Sequence, residues 1–363
     1  MTYPMDAHMK DVLALTRTGR LAEATEMIQR TLGGSATGAQ TAGARPPVDL
    51  RSDAPVLPAP GGAGRPAGEA ARPSARKTAG GKMNRHNFRS AAGSLDYLLY
   101  VPQGLSKAAP LVVMLHGCTQ SAEDFARGTK MNVLADELGF IVAYPEQTRA
   151  ANAQKCWNWF RPGDQGKASG EPAMIAGITR EICTAQEVDR ARIYVAGLSA
   201  GGAAAAIMAD AFPDIFAAAG VHSGLACGSA SDLPSALAAM QGRGKRSRAN
   251  RSSSNVPLIT FHGDRDSTVH PVNSDQMHEA WATAPDAAGL ERKVTDGKSA
   301  AGQGYRKIAM VTPDGQSMAE HWVLRGAGHA WSGGSASGTY TDPKGPDASR
   351  EMLRFFLQHR LKR

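Results

Sequence analysis

No stretch of the 363-residue chain approaches the ~18 uninterrupted apolar residues that a membrane-spanning helix needs, which excludes an integral helical membrane protein. The opening MTYPMDAHMKDVLALTRTGR places Asp6, Lys10 and Asp11 where an export leader needs a basic tip and a continuous apolar stretch, so the expected address is the cytoplasm. Cysteine is scarce. Cys118, Cys156, Cys183 and Cys227 are widely spaced, with no C-x-x-C pair and no histidine at zinc-ligand spacing, so neither a metal nor any other cofactor is expected. An even count permits two disulfides, whereas a cytoplasmic address favours reduced thiols. Aromatics make up only 6% of the chain, and none falls between Gly33 and Arg85.

What is present is an ordinary globular composition, 42% apolar and 20% charged, with a net charge of +8. Residues 33–86 contribute +5, the run GRGKRSRANR from Gly242 to Arg251 another +5, and the rest of the chain sums to −2. The basic segments carry no interleaved aromatics on which bases could stack, so no nucleic-acid partner is expected. The basic loop reads as a solvated segment, with adhesion to a polyanion or a surface as its functional alternative.

Three zones follow from the patterning. In residues 1–32, Met9, Val12 and Leu13 and then Leu21, Ala24, Met27, Ile28 and Leu32 fall at helical spacing, with a break at Thr18-Gly19. This predicts a short helical pair that either docks on a partner or packs on its own domain. Residues 33–86 are rich in Ala, Gly and Pro and predict a disordered linker, because they bury too little surface to offset their ordering entropy. From 87 to 363, short β-branched or aromatic runs alternate with helical segments. That alternation predicts an α/β domain with a mostly parallel sheet covered by helices on both faces.

The chemistry concentrates in that last zone. ARIYVAGLSAGGAAAAIMAD is a buried strand, then Gly197-Leu198-Ser199-Ala200-Gly201, then an Ala-rich helix, the setting in which a G-x-S-x-G turn presents a nucleophilic serine. His329, in the glycine-rich LRGAGHAWSGG after the last strand, is the candidate base. Asp266, after the strand PLITFHG, is the candidate acid that fixes the histidine's tautomer, with Asp264 as the alternative acid or a loop cap. The chain order Ser199, Asp266, His329 is that of α/β-hydrolases. The strand LVVMLHGCTQ ends in His116-Gly117-Cys118, so the backbone amides of Cys118 and Ala200 are the candidate oxyanion donors. His116 reads as a structural ring under that loop and His321 as structural. His222, His270, His278 and His359 read as polar surface or satisfied core.

Taken together, HGCTQ, the segment from Lys155 to Phe160, GLSAGGAAAA, HGDRDSTV and GAGHAWSGG resemble the poly(3-hydroxybutyrate) depolymerase family of esterases, related to feruloyl and acetylxylan esterases, over Asn87 to Leu361. The resemblance implies an α/β-hydrolase fold, Ser199, Asp266 and His329 as the triad, and hydrolysis of short-chain polyhydroxyalkanoate or similar esters. It also makes Trp157, Trp159 and Trp331 candidate substrate contacts, since indole faces suit an ester chain. Secreted members carry a signal peptide and a polymer-binding domain after the catalytic one, whereas this chain begins with helices and ends soon after a last helix. The expected substrate is therefore amorphous or oligomeric polyester; docking of the N-terminal helices on a granule is the alternative to their packing on their own domain. Small feruloyl, acetylxylan or other soluble esters, an extracellular address, and a non-catalytic granule scaffold are the alternatives. The oligomeric state is left open.

Overall fold

A computed structural model describes residues 80–244 and 256–361. The helical pair expected at 1–32, nearly all of the linker and most of the basic loop lie outside the described residues. One boundary moves. Strand β1 spans Lys82–Ser90, so residues 82–86, assigned to the linker, belong to the folded unit. Only Met83 and Phe88 of this strand are even partly buried; its place is set by backbone pairing with β2 (Gly93–Val101), from Lys82 opposite Val101 to Ser90 opposite Gly93. A strand held by its ladder and not by an apolar face leaves little trace in composition.

The centre of the sheet is written in the sequence. All seven residues of β3 (Ala109–Leu115) are buried. Because successive side chains point to opposite faces, Leu111, Val113 and Leu115 enter one core and Val112 and Met114 the other. Strand β5 (Val188–Leu198) repeats this, with Ile193 and Val195 on the first face and Tyr194, Ala196 and Leu198 on the second. With β4 (Ile141–Glu146), β6 (Ala218–His222), β7 (Leu258–Gly263), β8 (Glu291–Lys298), β9 (Gly304–Val311) and β10 (Ser317–Leu324), the ten-stranded order is β1-β2-β4-β3-β5-β6-β7-β10-β9-β8. From β4 through to β10 the neighbours are parallel; the two flanks are antiparallel.

Helices cover both faces. On one lie α3 (Gly170–Ala185), α4 (Ala200–Ala211), α5 (Leu233–Met240) and α6 (Val272–Ala282), contributing Ile175, Ile178, Ile182, Ile207, Met208, Ala236, Met277 and Trp281 to the first core. On the other lie α1 (Ala122–Thr129), α2 (Met131–Leu138) and α7 (Ala348–Phe356), with Phe125, Leu134, Leu353, Phe355 and Phe356. Each such large side chain, fully buried, contributes roughly 1.5–3 kcal/mol. Among the described residues no helix is long and apolar enough to cross a membrane. Since the central strands run the same way, the loops that leave β3, β5, β7 and β10 gather at one edge of the sheet, the place where parallel α/β sheets hold their ligands.

Candidate active site

Ser199 is the single residue between the end of β5 and the start of α4, with φ 58° and ψ −119°. A non-glycine residue in that region costs about 1–3 kcal/mol, a strain found where a side chain must be presented rigidly. The flanking glycines make the turn fit. A Cβ on Gly197 would collide with the Gly201 carbonyl, and one on Gly201 with the carbonyls of Leu115 and His116. The Ser199 N–H donates to His222 O at 2.9 Å, which ties the turn to β6.

His329 and Asp266 meet. The Nδ1–H of His329 donates to Asp266 Oδ2 at 2.7 Å, which leaves Nε2 as the basic nitrogen. Asp266 Oδ1 accepts from the N–H groups of Thr268 and Val269, each at 2.9 Å. His262, at the end of β7, adds a partner that sequence reading did not anticipate. Its Nε2–H donates to Val269 O at 2.8 Å and lies 3.3 Å from Asp266 Oδ2, while Ser274 Oγ–H donates to its Nδ1 at 2.6 Å. Burial alone would raise the Asp266 pKa, but the hydrogen bonds from His262 and His329 outweigh it and hold the carboxyl well below the usual range. Asp264 turns elsewhere: its Oδ1 accepts from Gly326 N at 2.6 Å, so it caps the loop after β10.

The candidate oxyanion donors sit at the end of β3 and the start of α4. Cys118 and Ala200 both border the cavity that Ser199 and His329 share, and the Ala200 N–H, in the first turn of α4, has no intrahelical acceptor. His116 is wholly buried; burial lowers its pKa to about 4, so the ring is neutral. Its Nε2 accepts from Gln147 N at 3.0 Å and its Nδ1–H donates to Gly117 O at 2.8 Å. Cys118 is bonded to Cys156, one of the disulfides that the even count permitted, while Cys183 and Cys227 remain thiols. The pairing joins positions 38 residues apart, and no spacing rule announces such a bond.

The cavity encloses about 390 Å³, inside the roughly 300–1,000 Å³ of small-molecule sites. Of the three tryptophans, Trp159 lines it beside Phe160, the two rings edge to face at 5.7 Å. Trp157 and Trp331 do not line it, which corrects their assignment as substrate contacts. Trp157 is fully buried and donates from Nε1 to His116 O at 3.0 Å. Trp331 is buried between His222 and Phe125 and donates to Ser349 Oγ at 3.0 Å. Two further walls were missed. Leu233, Ala236, Leu237 and Met240 line the cavity from α5; their i, i+3, i+4, i+7 spacing is legible in the sequence, but it reads equally well as a core-facing stripe. Tyr340, 47% exposed, stands at the rim with φ 51° and its hydroxyl 3.2 Å from Thr119 Oγ1. Thr119, Lys155, Ser199 and Tyr340, four of the seven described non-glycine residues with positive φ, line the cavity or adjoin a residue that does.

Among the described residues, the remaining histidines stay out of the cavity. His222 is buried and accepts from Ser332 N at 3.0 Å; His321 sits between Thr260 and Asp275. His270 is exposed. His278 is buried with an Nε2 that has no hydrogen-bond partner, unlike the satisfied core histidine expected, whereas His359 Nδ1 accepts from Gln316 Nε2 at 3.3 Å; burial lowers both to about 4 and leaves them uncharged.

Residues 95–293 match the family described as Esterase PHB depolymerase. Poly(3-hydroxyalkanoate) depolymerase C of Paucimonas lemoignei is 31% identical over 268 residues, which cover 71% of this chain and 61% of that protein. Feruloyl esterase B of Thermothelomyces thermophilus is 28% identical over 206 residues, 52% of this chain and 70% of that one. The solved acetyl xylan esterase from Aspergillus awamori superposes with a TM-score of 0.61 at 19% identity, over 76% of this chain and 99% of its own, a likeness of fold. This chain therefore spans about 61% of the length of the depolymerase it matches. The parallel centre, the strand order and the strained serine turn are those of an α/β-hydrolase, and with the family match covering more than half of its residues the chain belongs to the esterase PHB depolymerase family.

Proposed function

We propose that this protein is a serine esterase that cleaves short-chain polyhydroxyalkanoate, as oligomers or amorphous polymer, through an acyl-enzyme. The observation that carries the reading is the convergence of Ser199, His329 held by Asp266, and the Cys118 and Ala200 amides on one largely apolar cavity. Ser199 Oγ attacks the ester carbonyl as His329 Nε2 takes its proton, and the carbonyl oxygen becomes an oxyanion facing the two amides. Collapse breaks the C–O bond, the leaving alkoxide takes the proton from His329, and the acyl group stays on Ser199. Water attacks by the same route, with His329 first as base and then as acid, giving carboxylate product and free serine. Asp266 keeps the Nδ1 proton in place and stabilises the imidazolium without itself being protonated. Trp159, Phe160 and the α5 stripe give the acyl chain an apolar bed.

The Cys118–Cys156 bond supports an oxidising compartment, the extracellular alternative, over the cytoplasm. Turnover should be compared on a 3-hydroxybutyrate trimer, amorphous granules, crystalline film, and feruloyl and acetyl esters at equal enzyme concentration. The reading expects trimer and granules to lead. Activity confined to feruloyl or acetyl esters, or film degraded as fast as granules, overturns the substrate assignment.

A further inference from the structure

Behind the oxyanion loop lies a carboxylate that the reaction above does not use. Glu171, in the first turn of α3, is 6% exposed. Three N–H donors reach it, and no ion pair does among the described residues. Its Oε1 accepts from Gln147 Nε2 at 2.5 Å and Asn158 Nδ2 at 2.6 Å, and its Oε2 from the Asn158 backbone N–H at 2.7 Å. A carboxylate buried without a cation is expensive to maintain. Burial and the Asp164 charge raise its pKa to about 7, against the donors from Asn158 and Gln147 that favour the charge.

Both sets of donors lead to the same peptide unit. The Gln147 N–H that binds His116 Nε2 fixes the ring's other proton on Nδ1, where it is given to Gly117 O. Gly117 O and Cys118 N–H belong to one trans peptide and point in opposite directions. Holding that carbonyl beneath the loop therefore aims the Cys118 N–H away from it, toward the cavity that Cys118 borders. On the second route, Trp157, next to Asn158, donates to His116 O, and Asn158 Oδ1 accepts from Asn152 Nδ2 at 3.1 Å. Asn152 Oδ1 in turn accepts from Gln154 N at 3.0 Å and Cys156 N at 3.4 Å, and Cys156 is bonded to Cys118.

We propose that Glu171 is a positioning residue for the oxyanion hole: through Gln147 and His116, and through Asn158 and the loop of Cys156, it fixes the orientation of the Gly117–Cys118 peptide. The inference rests on the reading of Ser199 as nucleophile with Cys118 and Ala200 as oxyanion donors.

The test is Glu171→Gln, which sets an amide N–H₂ against N–H donors. On p-nitrophenyl butyrate, kcat should fall ~10- to 100-fold with KM within about twofold of the parent. The Ki of an alkyl trifluoromethyl ketone, whose serine adduct carries an oxyanion, should weaken by a similar factor. Ile178→Ala, on the same helix and fully buried, serves as the matched destabilised control and should leave kcat and Ki unchanged. If Glu171→Gln fails to fold, Gln147→Met, which keeps the backbone N–H on His116 and removes the side-chain amide that ties Glu171 to that residue, is expected to give the same paired loss. A Glu171→Gln protein that loses thermal stability as Ile178→Ala does, with kcat and Ki at parental values, overturns the proposal; so does a change confined to KM. Failure of the ketone to inhibit the parent protein overturns the oxyanion-hole reading itself and this inference with it, whereas normal inhibition of the parent and of Glu171→Gln overturns this inference alone.

Discussion

The acid loop and the oxyanion loop both leave the ends of parallel strands beside Ser199, and they are held in place by different means. Asp266 takes its support locally, from the N–H groups two and three residues ahead and from His262 four residues behind. The peptide before Cys118 has local partners too, His116 Nδ1 and Gln120 N on Gly117 O, but the ring and loop around it are also held from 31 to 41 residues away, by Gln147, Cys156 and Trp157, with Glu171 behind them. A carboxylate can be oriented by a short turn because the turn's own amides point inward. A backbone N–H aimed at a developing charge has no side chain to anchor it, so its orientation must come from what grips the rest of its peptide. Substitutions remote from the cavity should accordingly damage the oxyanion side and spare the acid side.

The largest expected effect lies on the acid loop itself. Asp266→Asn should lower turnover by ~10³–10⁴, while Asp264→Asn, whose amide oxygen can still accept from Gly326 N, should stay within a few-fold of the parent and lose no more than about 1 kcal/mol of stability. Steady-state kinetics on p-nitrophenyl butyrate with denaturant unfolding separates the two; an inactive Asp264→Asn beside an active Asp266→Asn would reverse the assignment.

Next comes the long-range staple of the oxyanion loop. Cys156→Ser should cost roughly 2–4 kcal/mol in denaturant unfolding and lower kcat ~10-fold with little change in KM. Unchanged kcat in a destabilised protein would show that the loop holds its shape without the bond.

The buried carboxylate gives a pH signature. The folded-state pKa of Glu171, about 7 against 4.5 for the free group, means that the native protein binds more protons than the unfolded chain in that window. Its contribution is therefore most favourable below pH 4.5 and declines as pH rises through 7, by at most about 3 kcal/mol. Unfolding free energies of the parent and Glu171→Gln at pH 5 and pH 8 should show this decline only in the parent; parallel pH slopes in the two proteins would contradict it.

The smallest effect concerns the cavity wall. Leu237→Ala should shift preference toward longer acyl chains by about tenfold in kcat/KM, whereas Trp331→Phe should lower stability and leave substrate preference alone. A change of preference from Trp331→Phe, measured across p-nitrophenyl acetate to octanoate, would return that residue to the substrate site.

The same contrast explains what could be read from the chain. The serine turn, the strand carrying Asp266 and the loop carrying His329 are each contiguous, with glycines and buried strands fixing their geometry nearby, so their convergence was legible. Strand β1 was hidden because backbone pairing holds it. Trp157 and Trp331 looked like substrate contacts because they sit within the family's motifs, yet their indole N–H groups are used on His116 O and Ser349 Oγ inside the fold. The Cys118–Cys156 bond and the Glu171 network join segments that only the packed sheet brings together, and no local pattern carries that information.

The most direct measurement is a rapid-quench incubation with p-nitrophenyl butyrate followed by peptide mass mapping. The account predicts a butyryl group on the peptide that carries Ser199, formed with the nitrophenolate burst and absent from Ser199→Ala. Continued hydrolysis with no acylated Ser199 peptide, or acylation at another residue, would contradict it.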